Sequence, residues 1–112
     1  MGISIHEKDE SKAVILSGKS DTVQLVYNML EQEMRPEILP LAKKKEVGVI
    51  AREPLACGFL TGKYTTDSVF GKDDHRKRWT KEELEEGLAE VAKVKFMAAR
   101  YKTSLTQIAL KF

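Results

Sequence analysis

The chain carries one cysteine, Cys57, in 112 residues. It therefore forms no intrachain disulfide and has no Cys/His group at zinc-binding spacing, which favours a reducing, intracellular setting. No apolar run approaches the roughly 20 residues that span a bilayer, so no membrane association is expected. The N-terminal MGISIHEKDE lacks the basic segment, apolar core and small-residue cleavage site of a secretory leader. Gly2 invites a myristoylation reading, but that signal prefers Ser or Thr at position 6, where His6 stands. These absences predict a cytoplasmic protein. An excess of one charge is missing too: 19 Lys and Arg against 17 Asp and Glu leave a net charge of +2. That balance gives no global drive toward nucleic acid or anionic lipid.

What is present suits a globular chain, with 42% hydrophobic and 32% charged residues. Three short apolar runs stand out: Met1 to Ile5, Thr22 to Tyr27 (TVQLVY) and Val47 to Ala51 (VGVIA). Each is apolar on both faces, which predicts parallel strands buried on both sides. Between the first two, EKDESKAVILSGKSD predicts a short helix lined by Ala13, Val14 and Leu16 and ended by Gly18. Between the second and third, PEILPLAKKKE predicts a helix with Pro36 in its first turn and Ile38, Leu41 and Ala42 inward. Pro40 would strain that helix if it lay beyond the first turn. Lys43, Lys44 and Lys45 read as a solvated helix end whose cations match the dipole. The connections are long enough for right-handed crossovers.

From Arg52 to Trp79 the chain is irregular and rich in Gly, Thr and Asp, as functional or mobile loops are. Thr80 and Glu83 then form a capping-box signature, and Leu84, Leu88, Val91, Ala98 and Tyr101 predict one apolar stripe on a helix of about six turns. Ser104 and Gln107 repeat the signature before a last helix whose Leu105, Ile108, Ala109, Leu110 and Phe112 require a packing partner. The chain starts on a strand and stops on an apolar helix, so both ends read as cuts through a repeating β/α architecture. A parallel α/β barrel usually needs about 250 residues, more than twice what is here.

The most distinctive stretch, VGVIAREPLACGFLTGKY at 47–64, resembles the seventh strand and following loop of aldo-keto reductases. GIS near the start resembles the family's fifth strand, DTVQLVYNMLEQ its sixth, and SLTQIALKF the helix before its eighth. The resemblance implies a partial TIM (β/α)8 barrel of the α/β class, with about three parallel strands and intervening helices. Residues 1–112 would form an incomplete aldo-keto reductase domain running from strand five through the helices after strand seven. It also implies an NADP cofactor across the C-terminal strand ends, where barrels place their active sites.

Carried over residue by residue, the resemblance puts Ser4 and Gln24 on the nicotinamide carboxamide, a role that suits an amide because it donates and accepts at once. Ile5 departs from the family's Asn or Arg at the next position. Arg52 takes a place where many members stack an aromatic ring on the nicotinamide, and a planar guanidinium can stack as well. Glu53, Pro54, Leu55, Ala56 and Cys57 form the loop that wraps the pyrophosphate with backbone N–H groups, although Pro54 has none to give. Lys63 resembles a phosphate-contacting point charge, and Arg76 is a further candidate for the phosphates. Cys57 shows no activating neighbour and reads as a small loop residue rather than a nucleophile. His6 and His75 read as surface residues.

Family members reduce a carbonyl with hydride from NADPH while Asp, Tyr, Lys and His of the first barrel half manage the proton. No position of this chain matches those four, and Tyr27, Tyr64 and Tyr101 match other family positions. The sequence thus predicts no catalytic residue, weak or absent NADP binding, and a carbonyl substrate only in a complete parent. The alternative is a non-catalytic remnant or partner-binding module that self-associates through open strand edges.

Overall fold

The computed structural model describes residues 1–112, which divide into two compact units, Met1–Pro54 and Leu55–Phe112. The first is built on a parallel sheet of strands β1 (Gly2–Ser4), β2 (Thr22–Val26) and β3 (Gly48–Arg52), in that spatial order. Helix α1 (Lys8–Ser17) connects the first pair and α2 (Ile38–Lys44) the second. In-register pairing aligns Ser4 with Gln24 and Gln24 with Ile50, and it sets Val26 opposite Arg52.

Only β2 is buried, and on one face: Val23 and Leu25 are fully buried while Thr22, Gln24 and Val26 are half-exposed. Val23 and Leu25 meet Ile5, Ile15, Met34, Ile38 and Ala42 in the core. The expectation of strands buried on both sides does not hold, since β1 is exposed throughout and β3 nearly so. In β2 alternation sets one parity into the core and the other toward an uncovered surface; β1 and β3 are edge strands, each with a strand neighbour on one side only, and are exposed at both parities.

Helix α1 buries Ser11 and Ile15, one turn apart, with Val14 against the same core. Ala13 and Leu16, expected inward, are exposed, because the helix starts at Lys8 and turns a different face to the sheet. Gly18 ends the helix at φ 68°, where a residue without Cβ fits the left-handed region. Pro40, the third residue of α2, sits in the first turn, where its missing N–H breaks no helical bond; Pro36 precedes the helix. The two helices are tied by Glu37, which accepts from Lys12 at 2.7 Å and pairs with Lys8 at 3.1 Å.

The second unit packs two 3-10 turns, Phe59–Thr61 and His75–Arg78, with α3 (Lys81–Val94), α4 (Phe96–Arg100) and α5 (Leu105–Lys111). Its core holds Leu60, Leu84, Val91, Leu105 and Ala109. Both predicted capping boxes form, Thr80 with Glu83 and Ser104 with Gln107. The single long helix divides at Lys95, where the Ala98 N–H bonds the Lys95 carbonyl in a tighter turn, and Tyr101 is left 59% exposed. Leu110 and Phe112 are exposed as well, so α5 buries a narrower stripe than its composition suggests. No helix is long and apolar enough to cross a membrane.

Candidate functional site

Strand register brings three of the residues singled out by sequence to one end of the first unit. Ser4 closes β1, Gln24 lies beside it in β2, and Arg52 closes β3, all with the parity of the uncovered face. Arg52 reaches across β2 so that its Nη1 donates to Ser4 Oγ at 3.0 Å. The serine hydroxyl accepts there and keeps its own proton for another acceptor. Gln24 is half-buried, and its amide bonds no neighbouring side chain. An amide held in a strand with donor and acceptor unspent suits a primary carboxamide, which presents the complementary pair. Ile5 is buried under the helices at 3% exposure and contributes nothing to this face.

Beyond the ladder the chain turns at Glu53, whose φ is 52°. Its carbonyl accepts from Asn28 Nδ2 at 3.0 Å, and its carboxylate stands 3.9 Å from the Arg52 guanidinium. Asn28 is 1% exposed, and its Oδ1 also accepts from the Leu30 and Glu31 N–H groups, each at 2.9 Å. A cleft of about 500 Å³ opens here, lined by His6, Val26, Arg52, Glu53 and the turn 30–34. The sequence reading missed Asn28, because a buried amide next to an apolar strand looks like any loop polar until its partners are known.

Pro54 ends the first unit, and the second opens with the turn at Leu55, Ala56 and Cys57. Ala56, Cys57 and Gly58 adopt φ of 49°, 54° and 94° in succession. The left-handed region costs a residue with Cβ about 1–2 kcal/mol, and such strain gathers at functional loops. Gly58 and Leu60 both donate to the Leu55 carbonyl, and Phe59 donates to that of Ala56. Those N–H groups are spent inside the turn, which leaves Leu55 and Ala56 with donors for an anion. Lys63 is exposed after Gly62, and its ammonium makes no ion pair.

Arg76 is occupied within the second unit. Its Nε and Nη2 clamp Asp74 at 2.8 and 2.7 Å, it bonds the Tyr64 hydroxyl, and it reaches the Cys57 carbonyl at 3.4 Å. Its guanidinium also lies over the Tyr64 and Phe70 rings at 5.2 and 5.5 Å. Phe59 stacks on Trp79 with centroids 4.7 Å apart, and Phe70 meets both Tyr64 and Trp79 edge-on. This cluster fixes the long loop, and the irregular spacing of its rings along the chain hid it from periodicity. His75 is exposed, 3.9 Å from Asp74.

Residues 5–112 match the model of the "Aldo/keto reductase family". The chain is 32% identical over 97% of its length to the aldo-keto reductase YhdN of Bacillus subtilis, of which it covers 33%. It is 29% identical over 83% of its length to a probable voltage-gated potassium channel subunit beta of Arabidopsis thaliana, again covering 33%. Among solved structures, a glycerol dehydrogenase of Gluconobacter oxydans superposes with a TM-score of 0.75 at 29% identity, over 96% of this chain and 34% of that one. The chain thus spans about a third of the length of these relatives, and its three parallel strands and helices are part of a TIM (β/α)8 barrel.

Proposed function

Since this chain belongs to the aldo/keto reductase family, we propose that it carries the nicotinamide and pyrophosphate contacts of an NADP-dependent oxidoreductase that reduces aldehydes or ketones. It does so without the Asp, Tyr, Lys and His that handle the carbonyl proton. The cofactor supplies hydride when bound; the residues here bind and orient it. The observation that carries the reading is the open-face set of Ser4, Gln24 and Arg52, with an unspent amide beside a hydroxyl whose own proton is free to donate. Ser4 and Gln24 pair with the carboxamide and Arg52 lays its plane against the ring. Glu53, Pro54, Leu55, Ala56 and Cys57 form the pyrophosphate loop, in which the Leu55 and Ala56 N–H groups donate, and Lys63 adds a positive charge. A complete carbonyl-reducing protein in the cytoplasm is the setting in which these contacts serve catalysis.

Titration of NADPH by its fluorescence, followed by an NADPH-oxidation assay with a panel of aldehydes, tests both halves. Weak saturable binding is expected, about tenfold weaker in Gln24→Ala, which corresponds to about 1.4 kcal/mol, with no oxidation of NADPH. Absence of binding would sink the cofactor reading, and turnover by the chain would sink the claim that it lacks the chemistry.

A second reading, a self-associating non-catalytic module, is favoured by apolar side chains on both edge strands: Ile3 at 37%, Val49 at 37% and Ile50 at 52% exposure. Edge strands with unpaired backbone groups invite pairing with another chain.

A further inference from the structure

We infer that Asn28 is a positioning residue for the cofactor-facing end of β3, holding the Arg52–Glu53 strand end so that the Arg52 guanidinium stays beside Ser4. The inference rests on the cofactor reading above for its functional consequence and on the geometry alone for its structural one. Register pairing between β2 and β3 ends at Val26 and Arg52, and the next backbone bond, Tyr27 N–H to the Arg52 carbonyl, is already long at 3.4 Å. Asn28 continues the link with a side chain, donating to the Glu53 carbonyl at 3.0 Å. That carbonyl belongs to a residue at φ 52°, a conformation that persists only where surrounding bonds hold it.

The other end of the same amide is equally committed. Its oxygen takes the Leu30 and Glu31 N–H groups, and the Asn28 N–H in turn donates to the Glu31 carbonyl at 3.1 Å. Asn28 therefore joins two segments that line the cleft, the turn 30–34 and the strand end. At 1% exposure these bonds meet little competition from water, so their loss leaves buried groups unsatisfied. If the strand end relaxes, Arg52 loses the direction that brings Nη1 to Ser4, and Ser4 and Gln24 lose the group that completes their face.

Asn28→Asp separates the two roles. The new carboxylate still accepts from Leu30 and Glu31, but it turns an oxygen rather than N–H toward the Glu53 carbonyl. Two-dimensional ¹H–¹⁵N spectra should then show the Leu30 and Glu31 amides near their original positions while the Arg52 Nε–H resonance moves. NADPH binding should weaken about tenfold, whereas Asn28→Ala should disturb all these signals. An unmoved Arg52 resonance in Asn28→Asp, or undiminished NADPH affinity where the unaltered chain binds, overturns the inference. If neither variant folds, the unaltered chain decides: the Asn28 side-chain NH₂ should exchange with solvent far more slowly than that of Gln24. Equal rates overturn it. Failure of the unaltered chain to bind NADPH defeats the cofactor reading, while the resonance and exchange measurements still judge Asn28.

Discussion

A single absent methyl group organises the aromatic cluster of the second unit. A Cβ at Gly87 would collide with the Phe59 ring, which α3 accommodates only because that position is bare. Replacing glycine by alanine inside a helix normally gains about 1 kcal/mol. Here the ring must leave its stack on Trp79, and overpacking costs about 1–3 kcal/mol. Gly87→Ala is therefore expected to lower stability by about 1 kcal/mol, seen as a lower urea midpoint. A rise would show that Phe59 moves without cost. The reason for Gly87 is not legible in the local sequence, because it lies in a ring 28 residues earlier. A family motif marks Ser4, Gln24 and Arg52 in the sequence; in the structure Ser4 and Arg52 close their strands and Gln24 lies within β2.

Among elements, helix α3 depends on its first turn. The Thr80 hydroxyl accepts from the Glu83 N–H at 3.1 Å, and Glu83 accepts in return from the Thr80 N–H at 2.7 Å. Thr80→Ala should lower stability by about 1 kcal/mol, read from the thermal midpoint; no change would mean the helix is held by packing alone. Helices α1 and α2 add a charge tie to the core packing of Ile15, Ile38 and Ala42. Hydrogen bonds from Lys12 and then Lys8 hold the Glu37 carboxyl below its ordinary 4.5, and the Glu37 bond raises Lys12 above 10.5. Because the folded carboxyl is depressed, its contribution is present above pH 4.5 and fades as pH falls through the lower folded value. The lysine's contribution is present below 10.5 and fades as pH rises through its higher folded value. Both groups are exposed, so the effect is small and screened by salt. Glu37→Gln should slightly destabilise the first unit near neutral pH at low ionic strength, with the difference vanishing in high salt or in acid. A difference that persists in high salt would contradict an electrostatic tie.

For the molecule as a whole, the sheet presents two edge strands, with Ile3 exposed on one and Val49 and Ile50 on the other; of these Ile50 has the parity of the uncovered face. If these surfaces drive self-association, size-exclusion chromatography at rising concentration should show earlier elution, and Ile50→Lys should abolish it, as charge does on edge strands. A monomer at all concentrations would remove the second reading. The sequence by itself determined the element order, the parallel crossovers, both capping boxes and the strand-end residues, because these rest on short-range periodicity and hydrogen bonds within a few residues. Tertiary structure decided the rest. Which face of α1 is buried, how Asn28 reaches the Glu53 carbonyl and why Arg76 bonds Tyr64 and the Cys57 carbonyl all depend on partners distant along the chain. Contacts of that kind arise from packing many groups at once, and no local pattern of residues encodes them.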